Sequence, residues 1–302
     1  MIDRLIEKIK ETQNPTVVGL DPVFSMIPNF IKQECYEIWG KTPKAVSEMF
    51  IRFNKAIIDS THDLIPAVKP QIAMYEQYGL DGISAYLKTI EYAKEKGLII
   101  IGDVKRGDIA STAAAYAGHI AGVTIEGEHF DLWKEDAITL NPYMGYDGIE
   151  PFLKPCEEFD KGLFILVKTS NPSGCELQDL DVSGEPVYNY TADLVKKWGE
   201  NLIGEHGYSK VGAVVGATYK EQGDDLRKRM PNTFFLVPGY GAQGATAKDL
   251  SGYFDKNGIG AIVNSSRGII ASYKAKKKHE EEFATSAREA VIEMRDDLKG
   301  VL

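Results

Sequence analysis

Eight short apolar runs, spread along most of the chain and separated by segments of helical character, limit the possible folds more than any other feature. They are Thr16 to Leu20, Ile65 to Lys69, Leu98 to Val104, Ala137 to Asn141, Leu163 to Lys168, Val211 to Val215, Thr233 to Val237 and Gly260 to Asn264. Each is apolar on both faces, as parallel strands are when helices cover one side and a barrel interior the other. Between them, Thr42-Pro43 offers a cap and a first-turn proline ahead of Val46, Met49, Phe50, Phe53 and Ile57, which share one helix face. Helices are also expected over Gly82 to Lys96, Ser111 to His119, Tyr188 to Leu202, Lys220 to Arg229, Thr246 to Asp255 and from Lys274 onward. Eight such alternations favour the α/β class and a closed (β/α)8 TIM barrel. An open doubly wound sheet usually has fewer strands and a nucleotide motif at its switch point, and no Gly-x-Gly-x-x-Gly follows the first run. Two polar stretches, Pro22 to Lys41 and Asn171 to Pro186, read as insertions over the active face after the first and fifth strands. With 302 residues, the expectation is a single barrel domain over 1–302.

A formal net charge of -9 argues against a general nucleic-acid binder, which needs surplus Lys and Arg to displace phosphate counterions, but leaves room for a local basic pocket. The longest apolar stretches are too short to cross a bilayer. Residues Met1 to Ile9 mix charges with apolar positions at helical spacing, which suits an amphipathic helix and not a signal peptide. Cys35, Cys156 and Cys175 are widely spaced, odd in number and form no Cys-x-x-Cys pair, so a reducing cytoplasm is expected.

The chemistry-bearing residues gather just past the strand ends: Asp21, Lys69, Asp103, Lys105, Asn141, Ser170, Thr218, Gln243 and Arg267. In a barrel these ends meet at one face, where such folds place their catalytic groups. Strand alternation sends Asp103 and Lys105 to the same side, so an ammonium sits beside a carboxylate and is favoured in its charged, proton-donating form. A plain strand-end ion pair is the competing reading, with Asp108 as a cap for the helix starting near Ile109. The loops Val237 to Gly244 and Asn264 to Ile269 together offer backbone N–H groups and Arg267, a combination suited to a phosphate. Read singly, Asp21 could be a turn residue, Lys69 a solvated strand end and Ser170 a loop hydroxyl.

The run Asp103-x-Lys105-x-x-Asp108, continued by Ile109 and Thr112, resembles the signature of the orotidine 5'-phosphate decarboxylase family, in particular its longer bacterial subgroup. The resemblance extends through Gly19 to Pro22, Val68 to Pro70, Thr169 to Pro172, Val215 to Thr218, Pro238 to Gly244 and Ser266 to Gly268. It implies a barrel that converts orotidine 5'-monophosphate to uridine 5'-monophosphate, the last step of de novo UMP synthesis, without metal or cofactor. It further implies a charged network of Lys69, Asp103 and Lys105, with Lys105 as proton donor. Asp108, Ile109 and Thr112 would reach across a homodimer into the neighbour's site. Asp21 and Lys69 would hold the ribose, Ser170 the pyrimidine, and Gln243, Arg267, Pro238 and Gly268 the phosphate end. The chain departs from compact members in its two insertions and in Lys168-Thr169 before Ser170.

Two other readings compete. A related metal-dependent sugar-phosphate enzyme shares the Asp-x-Lys-x-x-Asp pattern, but is expected to place a glutamate on the second strand where this chain has Lys69, and a protonated lysine cannot ligate magnesium. The five histidines show no ligand spacing. A non-catalytic phosphate-binding barrel would have a disrupted Asp and Lys network, whereas here that network is intact.

Overall fold

The computed structural model describes residues 1–241 and 244–302. Its centre is a closed barrel of parallel strands: β1 (Thr16–Leu20), β2 (Ala67–Pro70), β3 (Ile99–Arg106), β4 (Ala137–Leu140), β5 (Gly162–Lys168), β6 (Ser209–Val215), β7 (Thr233–Val237) and β8 (Ala261–Ser265). Neighbours in sequence are neighbours in space, and β1 closes the ring by pairing Thr16 with Val263 on β8 and Val17 with Ala67 on β2. The (β/α)8 expectation holds, with strand ends shifted by one or two residues.

Side-chain alternation divides the core in two. Val17, Ala67, Ile99, Ile101, Ala137, Phe164, Val214, Phe234, Leu236 and Ile262 fill the barrel, while Val18, Val68, Ile100, Ile138, Ile165, Phe235 and Val263 face outward under the helices. The N-terminal helix α1 (Ile2–Thr12) buries Ile2, Leu5, Ile6 and Ile9 against the inner set and so seals the N-terminal mouth. With that end closed by apolar packing, the polar opening lies at the strands' C-terminal ends.

The outer layer includes α2 (Asn29–Trp39), α3 (Pro43–Thr61), α4 (Gly79–Glu95), α5 (Ala110–Tyr116), α6 (Glu150–Glu158), α7 (Val187–Trp198), α8 (Lys220–Arg229) and α9 (Phe283–Lys299). Thr42 caps α3 as expected, its hydroxyl accepting from the Ala45 N–H at 3.2 Å. One expectation needs correction, and three further features were not anticipated. The stretch Thr246 to Asp255 forms only a 3-10 turn, Ala247–Leu250, because a Thr246–Asp249 capping box starts a helix that Gly252 does not sustain. The insertion 22–41 contains the full helix α2, which buries Ile31 and Cys35. An antiparallel ribbon of Val123–Ile125 and Glu128–Phe130, not anticipated, stands out from the barrel before β4. The second insertion carries a smaller ribbon, Asp181–Val182 with Glu185–Pro186.

Candidate active site

At the C-terminal mouth, four charged side chains alternate in sign. The Lys69 Nζ donates to Asp103 Oδ2 at 2.7 Å and lies 3.9 Å from Asp21 Oδ1, and the Lys105 Nζ donates to Asp103 Oδ1 at 2.5 Å. Asp103 is the hub: Gln71 Nε2 also donates to Oδ2 at 2.8 Å, and the Thr139 hydroxyl donates to Oδ1 at 2.9 Å. The Lys69 and Asp103 side chains are buried, whereas Lys105 is 45% exposed and reaches into the opening.

Burial sets these groups against one another. For Asp103 burial alone would favour the acid, but the ammonium groups of Lys69 and Lys105 and their hydrogen bonds outweigh it and hold the carboxyl well below its usual range. Burial would likewise deprotonate Lys69, but Asp103 and Asp21 reverse that and raise it. Asp21 comes out raised, because its burial and the Asp103 charge exceed the help from Lys69.

The backbone at Lys105 differs from the simple alternation expected of a strand. Its φ is +45°, and the β3–β4 register slips between Gly102 and Arg106. The Lys105 N–H donates to the Thr139 hydroxyl at 3.0 Å, so one threonine fixes both the turn of the chain and the carboxylate beside it. A left-handed lysine is strained by about 1–3 kcal/mol, a cost the surrounding bonds must offset.

Two cavities meet at Lys69, Asp103 and Pro238. One, of about 230 Å3, is also lined by Lys105, Thr139, Leu166, Ser170 and Val214. The other, of about 280 Å3, extends past Asp21 to Asn264, Ser266 and Arg267. A larger cavity of about 450 Å3 lies at the opposite end of the barrel, near Ile9 and Tyr208, away from this charge network. Among the described residues, Arg267 has no ion-pair partner, and Tyr240 ties its loop to α9 through Asp297 at 2.6 Å.

Of the residues singled out in the sequence, Asp21, Lys69, Asp103, Lys105, Ser170, Pro238 and Arg267 converge here. Gln243 falls outside the described residues. Gly268 follows the lining residue Arg267 without lining the cavity itself. Asn141 and Thr218 do not line it either; the Asn141 side chain accepts from the Tyr143 N–H at 3.0 Å. Asp108, Ile109 and Thr112 stand outside both cavities of the single chain, with Ile109 56% exposed. Asp108 does not cap α5 in the expected way: its carboxylate accepts from the adjacent Ile109 N–H at 2.7 Å, and α5 has no side-chain cap. Sequence reasoning missed Gln71 and Thr139, whereas Asn264 and Ser266 lie in the loop it had assigned to phosphate. A polar residue inside an otherwise apolar strand, as in Ala-Ile-Thr139-Leu, was the available signal.

The model of the orotidine 5'-phosphate decarboxylase / HUMPS family matches residues 49–281. An orotidine 5'-phosphate decarboxylase of Petrotoga mobilis is 45% identical over 301 residues, covering 99% of this chain and 98% of that protein. One from Clostridium acetobutylicum is 42% identical over 303 residues, with both chains covered in full. The structure of Leishmania donovani OMP decarboxylase superposes with a TM-score of 0.71 at 31% identity, covering 98% of each chain. With its closed barrel, its mouth of alternating charges and these end-to-end relatives, the chain belongs to the orotidine 5'-phosphate decarboxylase / HUMPS family, among the carboxy-lyases that bear the first of those names.

Proposed function

We propose that this chain decarboxylates orotidine 5'-monophosphate to uridine 5'-monophosphate with its own side chains alone. The observation that carries the reading is the row Asp21, Lys69, Asp103 and Lys105 lying where two cavities join. The smaller cavity suits the pyrimidine, with Ser170 and Lys105 at its wall. The adjoining one suits ribose and phosphate, with Asp21 and Lys69 toward the hydroxyls and Pro238 and Arg267, followed in the chain by Gly268, at the phosphate end. A guanidinium is a planar double donor matched to phosphate oxygens.

In this reading the substrate carboxylate lies against Asp103. The bond from carboxylate to ring carbon breaks, its electron pair stays on the ring, and carbon dioxide leaves uncharged. The Lys105 ammonium stabilises the growing carbanion and then gives it a proton, afterwards regaining one from solvent. A localised ring carbanion demands barrier lowering toward the upper part of the ~8–23 kcal/mol enzymatic range. Fixed charges assembled before the reaction supply such lowering without reorganising during it. The positioning bonds from Thr139 and Gln71 keep that array rigid. Phosphate binding adds remote free energy that appears as rate.

A metal-independent reaction is supported by the donor set. The two acids that could ligate a cation, Asp21 and Asp103, already face the Lys69 ammonium, and no group of three or more His, Cys, Asp or Glu is arranged for a metal among the described residues. We also infer a homodimer in which Asp108, Ile109 and Thr112 complete the partner's site. Exposed apolar side chains around them, Ile109, Tyr116, Tyr143 and Met144, support that face as an interface. One domain over 1–302 is supported by α1 sealing the barrel and α9 packing on α3. No helix among the described residues is long and apolar enough to cross a membrane, and the thiols of Cys35, Cys156 and Cys175 are free, which supports a reducing cytoplasm.

The test is to mix purified protein with orotidine 5'-monophosphate in excess chelator and follow loss of the orotate absorbance. Steady turnover is expected. Substrate left intact would overturn the activity, and turnover restored only by added divalent metal would overturn the metal-free mechanism.

A further inference from the structure

The loop that brings Ser170 to the smaller cavity is held from behind by a buried ammonium. Lys168 ends β5, and its side chain is 1% exposed. Its Nζ lies 2.5 Å from Asp179 Oδ1, with the rings of Tyr219 and Tyr188 at 4.8 and 5.3 Å. Asp179 belongs to the second insertion, Tyr188 to the first turn of α7 and Tyr219 to the loop after β6, so one charge binds four segments together. A lysine at an ordinary strand end would extend its ammonium to water. A buried one must keep its counter-charge, because the desolvated cation is strongly disfavoured without it.

The same insertion grips the next residue along. The Gln178 amide accepts from the Thr169 N–H at 3.0 Å and donates to the Thr169 hydroxyl at 2.7 Å, and that hydroxyl donates to Asn171 Oδ1 at 2.6 Å. Gly216, just after β6, packs closely on Ser170: a Cβ there would fall 2.9 Å from the Ser170 nitrogen and 3.0 Å from its Cα. The Ser170 backbone is therefore held by Gly216 beside it and by the insertion through Thr169. Thr169, Ser170 and Asn171 line the cavity, whereas Lys168, Gln178 and Asp179 do not.

We propose that Lys168, Asp179 and Gln178 are positioning residues that act through Ser170, setting how the 169–171 loop meets the polar edge of the pyrimidine. The inference rests on the function proposed above. Because the clamp reaches the site only through the loop at the nucleobase cavity, its effect falls on the base and spares the ribose-phosphate side of the site.

The experiment is a set of double-mutant cycles on orotidine 5'-monophosphate turnover, with ribose 5-phosphate binding and thermal midpoints measured alongside. Asp179→Asn and Gln178→Ala are each expected to lower kcat/KM by on the order of tenfold to a hundredfold. Combined with Ser170→Ala, neither should lower it further than Ser170→Ala alone. Ribose 5-phosphate affinity should hold to within about twofold. Asp179→Glu, which restores the carboxylate, should recover most of the loss. Additive double mutants, equal losses of ribose 5-phosphate affinity, or unchanged kcat/KM in the single variants would each overturn the proposal. If Asp179→Asn does not fold, Gln178→Ala, which keeps the ion pair, carries the test. Wild-type protein without turnover refutes the activity itself, whereas active wild type with unaffected variants refutes only the clamp.

Discussion

Asp21 and Asp103 both face the Lys69 ammonium, yet folding acts on them in opposite directions. Asp103 is flanked by the ammonium groups of Lys69 and Lys105 and accepts further hydrogen bonds from Gln71 and Thr139, and its pKa falls. Such a group adds stability above its unfolded value of about 4 and loses that contribution as the pH drops through the lower folded value. Asp21 is raised, so its contribution is full below about pH 4 and is lost as the pH climbs through the folded value. The raised Asp21 therefore gives up stability on the alkaline side, at a group that the proposed ribose contact uses. We predict that Asp21→Asn stabilises the free protein at pH 7 and that the gain vanishes near pH 3, while substrate affinity drops. Asp103→Asn should instead cost about 3 kcal/mol at pH 7, because it leaves two ammonium groups less compensated. Urea midpoints at both pH values check the pair, and two shifts of the same sign at pH 7 would refute it. At the other end of the site, Arg267→Ala should lower kcat/KM for the whole nucleotide on the order of a hundredfold or more and barely change turnover of the substrate lacking phosphate. Equal losses on both would remove Arg267 from the phosphate site.

At the scale of elements, strands and helices differ in how they were written. The eight strands were legible because apolar runs buried on both faces have few alternatives, and α3 because its cap, first-turn proline and apolar face agree. The ribbon at Val123 to Phe130 was not, since all six of its paired residues are exposed and no burial pattern marks them. Helix α2 was hidden by the prolines and glycine around it, which mark its ends at Pro28 and Gly40 and leave its interior free. Helix α1 shows what one element contributes to the whole. Its buried Ile2, Leu5, Ile6 and Ile9 close the barrel at the end away from the chemistry. Ile6→Ala should cost about 2–5 kcal/mol in stability and leave KM unaltered. The denaturation midpoint and steady-state kinetics measured on one preparation test this, and a changed KM with unchanged stability would contradict the plug role.

For the molecule as a whole, the single chain leaves Asp108, Ile109 and Thr112 outside both cavities, and in the proposed homodimer they would complete the partner's site. Lys105→Ala and Asp108→Asn should each be inactive as pure dimers. After mixing and subunit exchange, one site in each hybrid regains both groups, which restores about a quarter of wild-type activity. No recovery despite demonstrated exchange would mean that the two residues do not serve one site across an interface. The sequence by itself determined the barrel and the charged residues at its mouth, Asp21, Lys69, Asp103, Lys105 and Arg267, because strand burial is a local property of apolar runs and the mouth is built from the residues at and just past their ends. Tertiary structure alone decided the rest: that Asp103 is the hub, that Thr139 and Gln71 orient it, that Lys105 turns through a left-handed backbone, and that Lys168 lies buried behind Ser170. These facts depend on distances between segments far apart in the chain, and a side chain's charge state and direction are set by neighbours that no local pattern names.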